Sequence, residues 1–233
     1  RAVSGRRLCS LRSVPAGRPR GGVIQQRTGK LLLYRFEHLS AQPGFTHGVA
    51  SRVGGRSNGR YASLNISFGA GDDPEIVAAN RRAIYRALGA DPGRVVVAQQ
   101  VHSDHVLVVS SGGTGPGERG WRTAPDEADG LITNERDLFL QMSFGDCVPL
   151  LFSDPMARAV GIAHAGWKGA IAKVGAATVR AMADAFGSRP DELLVGIGPS
   201  IGPCCYQVRE DVAGPAQRAF PQNPELLLPQ PDG

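Results

Sequence analysis

Three residues of this chain, His102, Cys147 and His164, are of the types that bind transition metals, and each falls at or beside the end of an apolar run. His102 ends "RVVVAQQVH" (94–102), Cys147 directly precedes "VPLLF", and His164 sits near the end of "ARAVGIAHAG" (157–166). Strand ends deliver polar side chains to the rim of a rigid sheet, where a ligand can reach them. Two imidazoles and one thiolate suit zinc and leave a fourth position for water or substrate. Copper accepts the same atoms. Gln100 can hydrogen-bond a ligand or substrate, and Asp146 is a candidate to orient a histidine through its distal ring nitrogen. Spacing alone leaves other readings open. A lone buried cysteine is commonly a small hydrophobe, and Cys147 with a histidine also makes a nucleophile pair. His38, His47 and His105 lie in ordinary polar context and read as structural.

The elements that must position these residues follow from pattern. "KLLLYRF" (30–36) predicts a strand, and "HGVASRVGGRSNGRYASLN" (47–65) a glycine-broken loop. "DDPEIVAANRRAIYRALGA" (72–90) predicts a helix capped by Asp72 or Asp73, with Pro74 in its first turn and Gly89 at its end. Its expected apolar stripe is Ile76, Ala79, Ala83, Ile84, Ala87 and Leu88. Strands are expected at 94–102, at 157–166 and at the start of "ELLVGIGPSIGPCCYQV" (192–208), with two apolar runs broken at Gly145-Asp146-Cys147. A second helix is expected over 170–187, burying Ile171, Val174, Thr178, Ala181, Met182, Ala185 and Phe186. "SSGGTGPGERG" (110–120) reads as an exposed loop, with Trp121 beside it as surface packing. Strands and helices mix without a regular βαβ repeat. The expected fold is therefore α+β, layered mixed β-sheets flanked by helices in a single domain.

Composition narrows the function classes. The chain has 233 residues, 42% of them hydrophobic, with no apolar stretch near membrane-spanning length. The net charge of +5 suggests nucleic acid until its distribution is read. Six arginines and no acid fall in residues 1–22, and the 20 remaining basic residues balance 21 acidic ones. That argues against a nucleic-acid partner, and residues 1–28 read as a disordered basic arm ahead of a catalytic domain over 29–233. The four cysteines, Cys9, Cys147 and the adjacent Cys204–Cys205, form neither a CxxC nor a disulfide framework, which fits a reducing, cytoplasmic setting. No P-loop, HExxH or HxE…PCxxC pattern is present. The Pro-rich end, "PQNPELLLPQPDG", is expected to stop short of a final strand and helix.

Several segments occur together in a recognisable order: "QQVHS" (99–103), "DEADGLIT" (126–133), "GDCVPLLFSDP" (145–155), "GIAHAGWKG" (161–169) and "GIGPSIGPCCYQV" (196–208). With "HGVASRVGG" and "YASLNISFGAGDDPEIVAANR", they resemble the motifs of the laccase-domain, YfiH-like family of purine nucleoside phosphorylases, first described as multicopper polyphenol oxidases. The resemblance runs from about Leu33 to Arg218. It implies a layered α/β fold with zinc held by His102, Cys147 and His164, and substrate-pocket positions at Arg52, Asn65 and Gln100. It implies phosphorolysis of adenosine, inosine, guanosine and methylthioadenosine, with adenosine deamination besides. The expected catalytic residues are Cys147, His164 and Asp146, with Arg52 or Lys168 placing phosphate; the expected form is a monomer or weak homo-oligomer. Lys168 stands where the family usually has arginine, which keeps the charge but loses the planar fork. The alternatives kept open are a copper polyphenol oxidase, a Cys147-dependent hydrolase acting in peptidoglycan editing, and a non-enzymatic scaffold.

Overall fold

The computed structural model describes residues 22–112, 115–116, 122–124 and 126–228. Residues 1–21 of the expected arm, Trp121 and most of the 110–120 loop lie outside the described residues. The described residues open with β1 (Val23–Thr28), β2 (Leu31–Phe36), the short α1 (Glu37–Ser40), β3 (Val49–Ala50) and α2 (Pro74–Leu88). Then come β4 (Val95–Val97), β5 (Val106–Val108), β6 (Gly115–Pro116), β7 (Arg122–Thr123), β8 (Gly130–Thr133) and β9 (Phe139–Gln141). It continues with β10 (Val148–Asp154), β11 (Ala159–Ala165), α3 (Trp167–Ile171), α4 (Val174–Phe186), β12 (Leu194–Ile197) and α5 (Glu210–Ala219). Three sheets result: β1-β2-β3, β12-β10-β11-β8-β5 and β6-β7-β4-β9. Parallel and antiparallel pairs mix in the larger two, with helices against them, so the expected mixed, layered α+β class holds.

The five-stranded sheet carries the core and the site. Ile132, Phe152, Ala159 and Ala163 from its strands pack against Val174 and Met182 of α4. On the other side, Leu131 joins Val96, Val109, Leu138 and Met142, which ties this sheet to the four-stranded one.

Three expectations change. Val23–Thr28, read as the end of the arm, form β1 and pair along β2 from Val23↔Phe36 to Thr28↔Leu31. The two-residue turn uses Gly29 at φ 60°, which a hairpin of this length requires. β1 is almost wholly exposed, so it has no apolar pattern to betray it; backbone pairing holds it. The helix expected over 170–187 is broken at Lys173, which adopts φ 64° between α3 and α4. In α2 the ends are as expected, with Asp73 accepting the Glu75 N–H at 2.8 Å and Gly89 left-handed at the C-terminus.

The buried face of α2, however, is rotated from the expected stripe to Val77, Ala78, Asn80, Arg81 and Tyr85. The reason is the loop it covers. Asn80 donates to the Asn65 carbonyl (2.8 Å) and the Ser57 hydroxyl (2.9 Å) and accepts from the Arg56 N–H (2.9 Å), while Arg81 Nε donates to the Ile66 carbonyl (2.7 Å). A glycine-rich loop has backbone groups to satisfy, and this helix turns polar side chains inward to meet them.

His47, read as structural, is buried between the rings of Phe36 and Phe45, and its Nε2 accepts the Phe36 N–H at 2.9 Å. Burial, then the Arg35 charge and His38, push its pKa down from 6.5 to about 4. Between those values the unfolded chain binds the proton that the folded chain refuses, so acidification favours unfolding. Stability from neutral His47 is complete above pH 6.5 and is lost as pH falls towards 4. Thermal melts at pH 7 and pH 5 should show a drop in the wild type that is smaller in His47→Gln, whose amide oxygen can still accept.

Candidate metal centre

Antiparallel pairing explains why Cys147 and His164 meet. Val148 pairs with Ala165 and Pro149 with His164, so Cys147, just before β10, lies by Gly166, just after β11. A Cβ at position 166 would stand 2.5 Å from His102 Cδ2 and 3.2 Å from Cys147 Sγ. Only glycine leaves room for the two side chains there. His102 arrives from the loop between β4 and β5 at φ 63°. A non-glycine residue rarely holds that conformation, at a cost of about 1–3 kcal/mol, unless its surroundings impose it.

Asp129 imposes it. This residue is fully buried at the start of β8, with β11 on one side and β5 on the other. Its Oδ1 lies 2.8 Å from His164 Nδ1. Its Oδ2 accepts from the Val101 N–H (3.1 Å), the Ser103 N–H (2.6 Å) and the Ser103 hydroxyl (3.0 Å). Both neighbours of His102 are thereby pinned. The Asp129 carbonyl also accepts the His164 N–H at 2.7 Å. Burial pushes the carboxyl pKa up, but hydrogen bonds from Ser103, His164 and Val101 outweigh it and hold the group below the usual carboxylate range.

With Nδ1 committed to Asp129, His164 offers Nε2 to a ligand. The ligand atoms of His102, Cys147 and His164 all lie within 4.8 Å of one another, the sole such grouping of three among the described residues. A tetrahedral zinc ion, with Zn–N about 2.0 Å and Zn–S about 2.3 Å, separates its ligands by roughly 3.3–3.7 Å. The two imidazoles meet edge-on, centroids 4.8 Å apart, with Phe144 packed against His164. The donor set and its glycine-lined space fit one such ion. Without a cation, burial and the carboxylates of Asp146 and Asp129 push the Cys147 thiol up, so an ion must displace its proton.

These residues form one wall of a cavity of about 950 Å³. That is at the large end of ligand sites. Gln100, Ser143, Asp146, Asn65, Arg52, Arg60 and Tyr61 also line it, with Pro199–Ile201 at one lip.

The expected site residues divide. His102, Cys147 and His164 come together, and Arg52, Asn65, Gln100 and Asp146 face the same cavity. The orienting carboxylate is Asp129, not Asp146: Asp146 is exposed, and its carbonyl accepts the Ile201 N–H at 3.0 Å, which ties down the lip. Gln100 uses both ends of its amide on the Ser143 backbone, at 2.9 and 2.8 Å, fastening the His102 loop to the Cys147 loop. Asn65 closes its own turn through Ser67 and donates to Asp72. Lys168 is absent from the cavity wall; it is exposed, its ammonium 5.6 Å from the Trp167 ring centroid. The next residue, Gly169, packs close to the Ser103 and His164 carbonyls, and one helical residue of rotation turns Lys168 away. Trp167 does not line the cavity either.

Sequence reasoning missed Asp129 and Arg60. The first lies within the quoted "DEADGLIT", where an Asp-Gly pair reads equally well as a turn. The second lay in a glycine-rich stretch with no period to orient it.

This fold and this ligand set define a class, and the comparisons identify it. Residues 46–231 match the family described as multi-copper polyphenol oxidoreductase laccase, and the chain belongs to that family. It is 38% identical over 183 residues to purine nucleoside phosphorylase YlmD of Bacillus subtilis, covering 78% of this chain and 66% of that protein. It thus spans just under two thirds of that relative's length. It is 34% identical over 172 residues to human purine nucleoside phosphorylase LACC1, covering 72% of this chain and 37% of that one. Among solved structures, Bacillus licheniformis YfiH superposes with a TM-score of 0.78 at 34% identity, over 88% of this chain and 76% of that one. YlmD of Geobacillus stearothermophilus gives 0.75 at 34% identity, over 84% and 72%.

Replacing Asp129 with Asn should weaken zinc affinity about 10- to 100-fold, the usual effect of losing an orienting partner. Asp146→Asn should change it far less. Competition against a chromogenic chelator measures both, and the opposite ranking would return the orienting role to Asp146.

Proposed function

We propose that this chain is a zinc-dependent purine nucleoside phosphorylase that accepts adenosine, inosine, guanosine and methylthioadenosine, and also deaminates adenosine hydrolytically. One observation carries the reading: the His102–Cys147–His164 grouping and two arginines share one cavity with room for a nucleoside and phosphate together. The names of the relatives support its phosphorylase part. When bound, zinc supplies Lewis acidity and brings the pKa of water down towards about 7. The chain's own residues do the rest. Asp129 fixes the His164 ring and the His102 loop, so the ligands are set before substrate arrives. Cys147 would hold the ion as its thiolate, its proton passing to solvent. Arg52, held through its Nε–H and one Nη2–H on the Ala62 carbonyl, keeps N–H donors for phosphate beside the sugar. Holding phosphate and nucleoside in one cavity makes the displacement effectively intramolecular: a phosphate oxygen bonds to the anomeric carbon as its bond to purine N9 breaks, and the base leaves with a proton from solvent.

Two other readings fit less well. A multicopper oxidase needs a cluster as well as a mononuclear site, and the described residues supply one three-ligand grouping. A nucleophilic Cys147 needs a lowered pKa, whereas burial and the Asp146 and Asp129 carboxylates raise it.

Incubation of the zinc-loaded protein with inosine and phosphate should yield hypoxanthine and ribose 1-phosphate by chromatography, under nitrogen as well as in air. Adenosine should also yield inosine. His102→Ala should lower kcat/KM at least about 100-fold, since losing a ligand exceeds losing its orienting partner. No ribose 1-phosphate and no inosine would end this reading, and strict dependence on oxygen would favour the copper oxidase.

A further inference from the structure

The cavity is electrically lopsided. Among the described residues its single lining carboxylate is Asp146, the neighbour of Cys147, whereas Arg52, Arg60 and Tyr61 line it from the separate 52–67 segment. Neither arginine has an acidic partner within ion-pair distance among the described residues. Two uncompensated guanidinium groups on one segment attract a dianion, and the fork of an arginine matches a phosphate.

The segment that carries them is built to hold still. The Arg52 carbonyl accepts the Ser63 N–H (3.1 Å), the Leu64 N–H (3.0 Å) and the Ser63 hydroxyl (2.9 Å). The Ser57 N–H donates to the Ser63 carbonyl at 2.8 Å, and the Ser63 hydroxyl accepts from Gly54 at 3.1 Å. Asn80 and Arg81 of α2 clamp the same loop from behind. Arg52 is tethered to the Ala62 carbonyl. Arg60 lies over the Tyr61 ring, 4.8 Å from its centroid, and its Nη2 donates to the Tyr61 hydroxyl. An exposed arginine normally samples many rotamers and loses that freedom on binding. Here stacking and hydrogen bonding hold the Arg60 guanidinium in advance.

The geometry points to Arg52, Arg60 and the Tyr61 hydroxyl as the phosphate subsite of this cavity, with Arg60 the residue that sets affinity for the inorganic phosphate co-substrate. This deepens the phosphorylase reading and rests on it. Arg60 supplies charge-assisted hydrogen bonds to phosphate. Tyr61 acts as the platform that aims it. Lys168, the other candidate anchor, is not part of the cavity wall.

The test has two arms. In steady-state phosphorolysis of inosine, Arg60→Gln should raise the KM for phosphate about 10-fold or more, the usual scale for losing hydrogen bonds to a charged group. The KM for inosine should move much less, and Arg60→Lys should recover part of the loss. Equal phosphate KM values in wild type and Arg60→Gln would overturn the assignment. The second arm needs no turnover: inorganic phosphate is titrated into the zinc-loaded protein and followed by phosphorus NMR line broadening. Wild type should broaden the signal and Arg60→Gln should not, at unchanged melting temperature. Phosphate binding that Arg60→Gln abolishes in a protein without phosphorolysis would keep the subsite and sink the phosphorylase reading; broadening that Arg60→Gln leaves intact would sink the subsite. Adenosine 5′-monophosphate serves as the control. If Arg60→Gln weakens its binding and leaves inorganic phosphate untouched, the subsite reads a phosphate carried by the ligand, and the co-substrate assignment fails.

Discussion

The site depends on one buried carboxylate. Asp129 sits where β8 begins, and from there its side chain reaches both the strand carrying His164 and the loop carrying His102. One oxygen orients an imidazole and the other pins the backbone on either side of a residue at positive φ. Removing an unpartnered carboxylate from water is costly, and Asp129 is stable there because several donors converge on it. The same donors fix the distance between two histidines that are 62 positions apart in the chain. Cys147 needs no such clamp, since the β10–β11 pairing places it directly.

The opposite side of the cavity follows a different rule. The 52–67 loop fully buries only Leu64 among its apolar residues, so its order comes largely from polar side chains turned inward by α2. A helix that buries Asn80 and Arg81 looks misassigned by hydrophobicity and is explained only by the carbonyls opposite. The wall of His102, Cys147 and His164 is thus built by strand register and the Asp129 clamp, and the arginine wall by hydrogen bonding.

The legible parts of the fold were those with a strong local signal. α2 was bounded by its Asp cap and Gly terminus to within two residues, and β10, β11 and β12 showed as apolar runs. β1 was hidden because an exposed strand is held by backbone bonds that leave no alternating side-chain pattern. The break at Lys173 was hidden because a left-handed lysine has no compositional mark. In the site, the grouping of His102, Cys147 and His164 was legible because His and Cys at strand ends are chemically conspicuous. The orienting carboxylate was not. Asp146, adjacent in sequence to Cys147, drew the role that tertiary pairing gives to Asp129, which lies 35 residues from the histidine it holds. Lys168 was misplaced for a similar reason: its neighbourhood in sequence suggested the cavity, and one residue of helical rotation removes it.

The central claim is that Asp129 holds His164 in the tautomer that carries its proton on Nδ1 and turns Nε2 towards the ligand position. Proton–nitrogen correlation spectra of the histidine rings in ¹⁵N-labelled protein read this directly. The account predicts a solvent-shielded Nδ1–H for His164 that persists on zinc addition, while its Nε2 resonance shifts to that of a metal-bound nitrogen. A His164 ring protonated on Nε2, or one whose Nδ1 resonance is the one that responds to zinc, would contradict it.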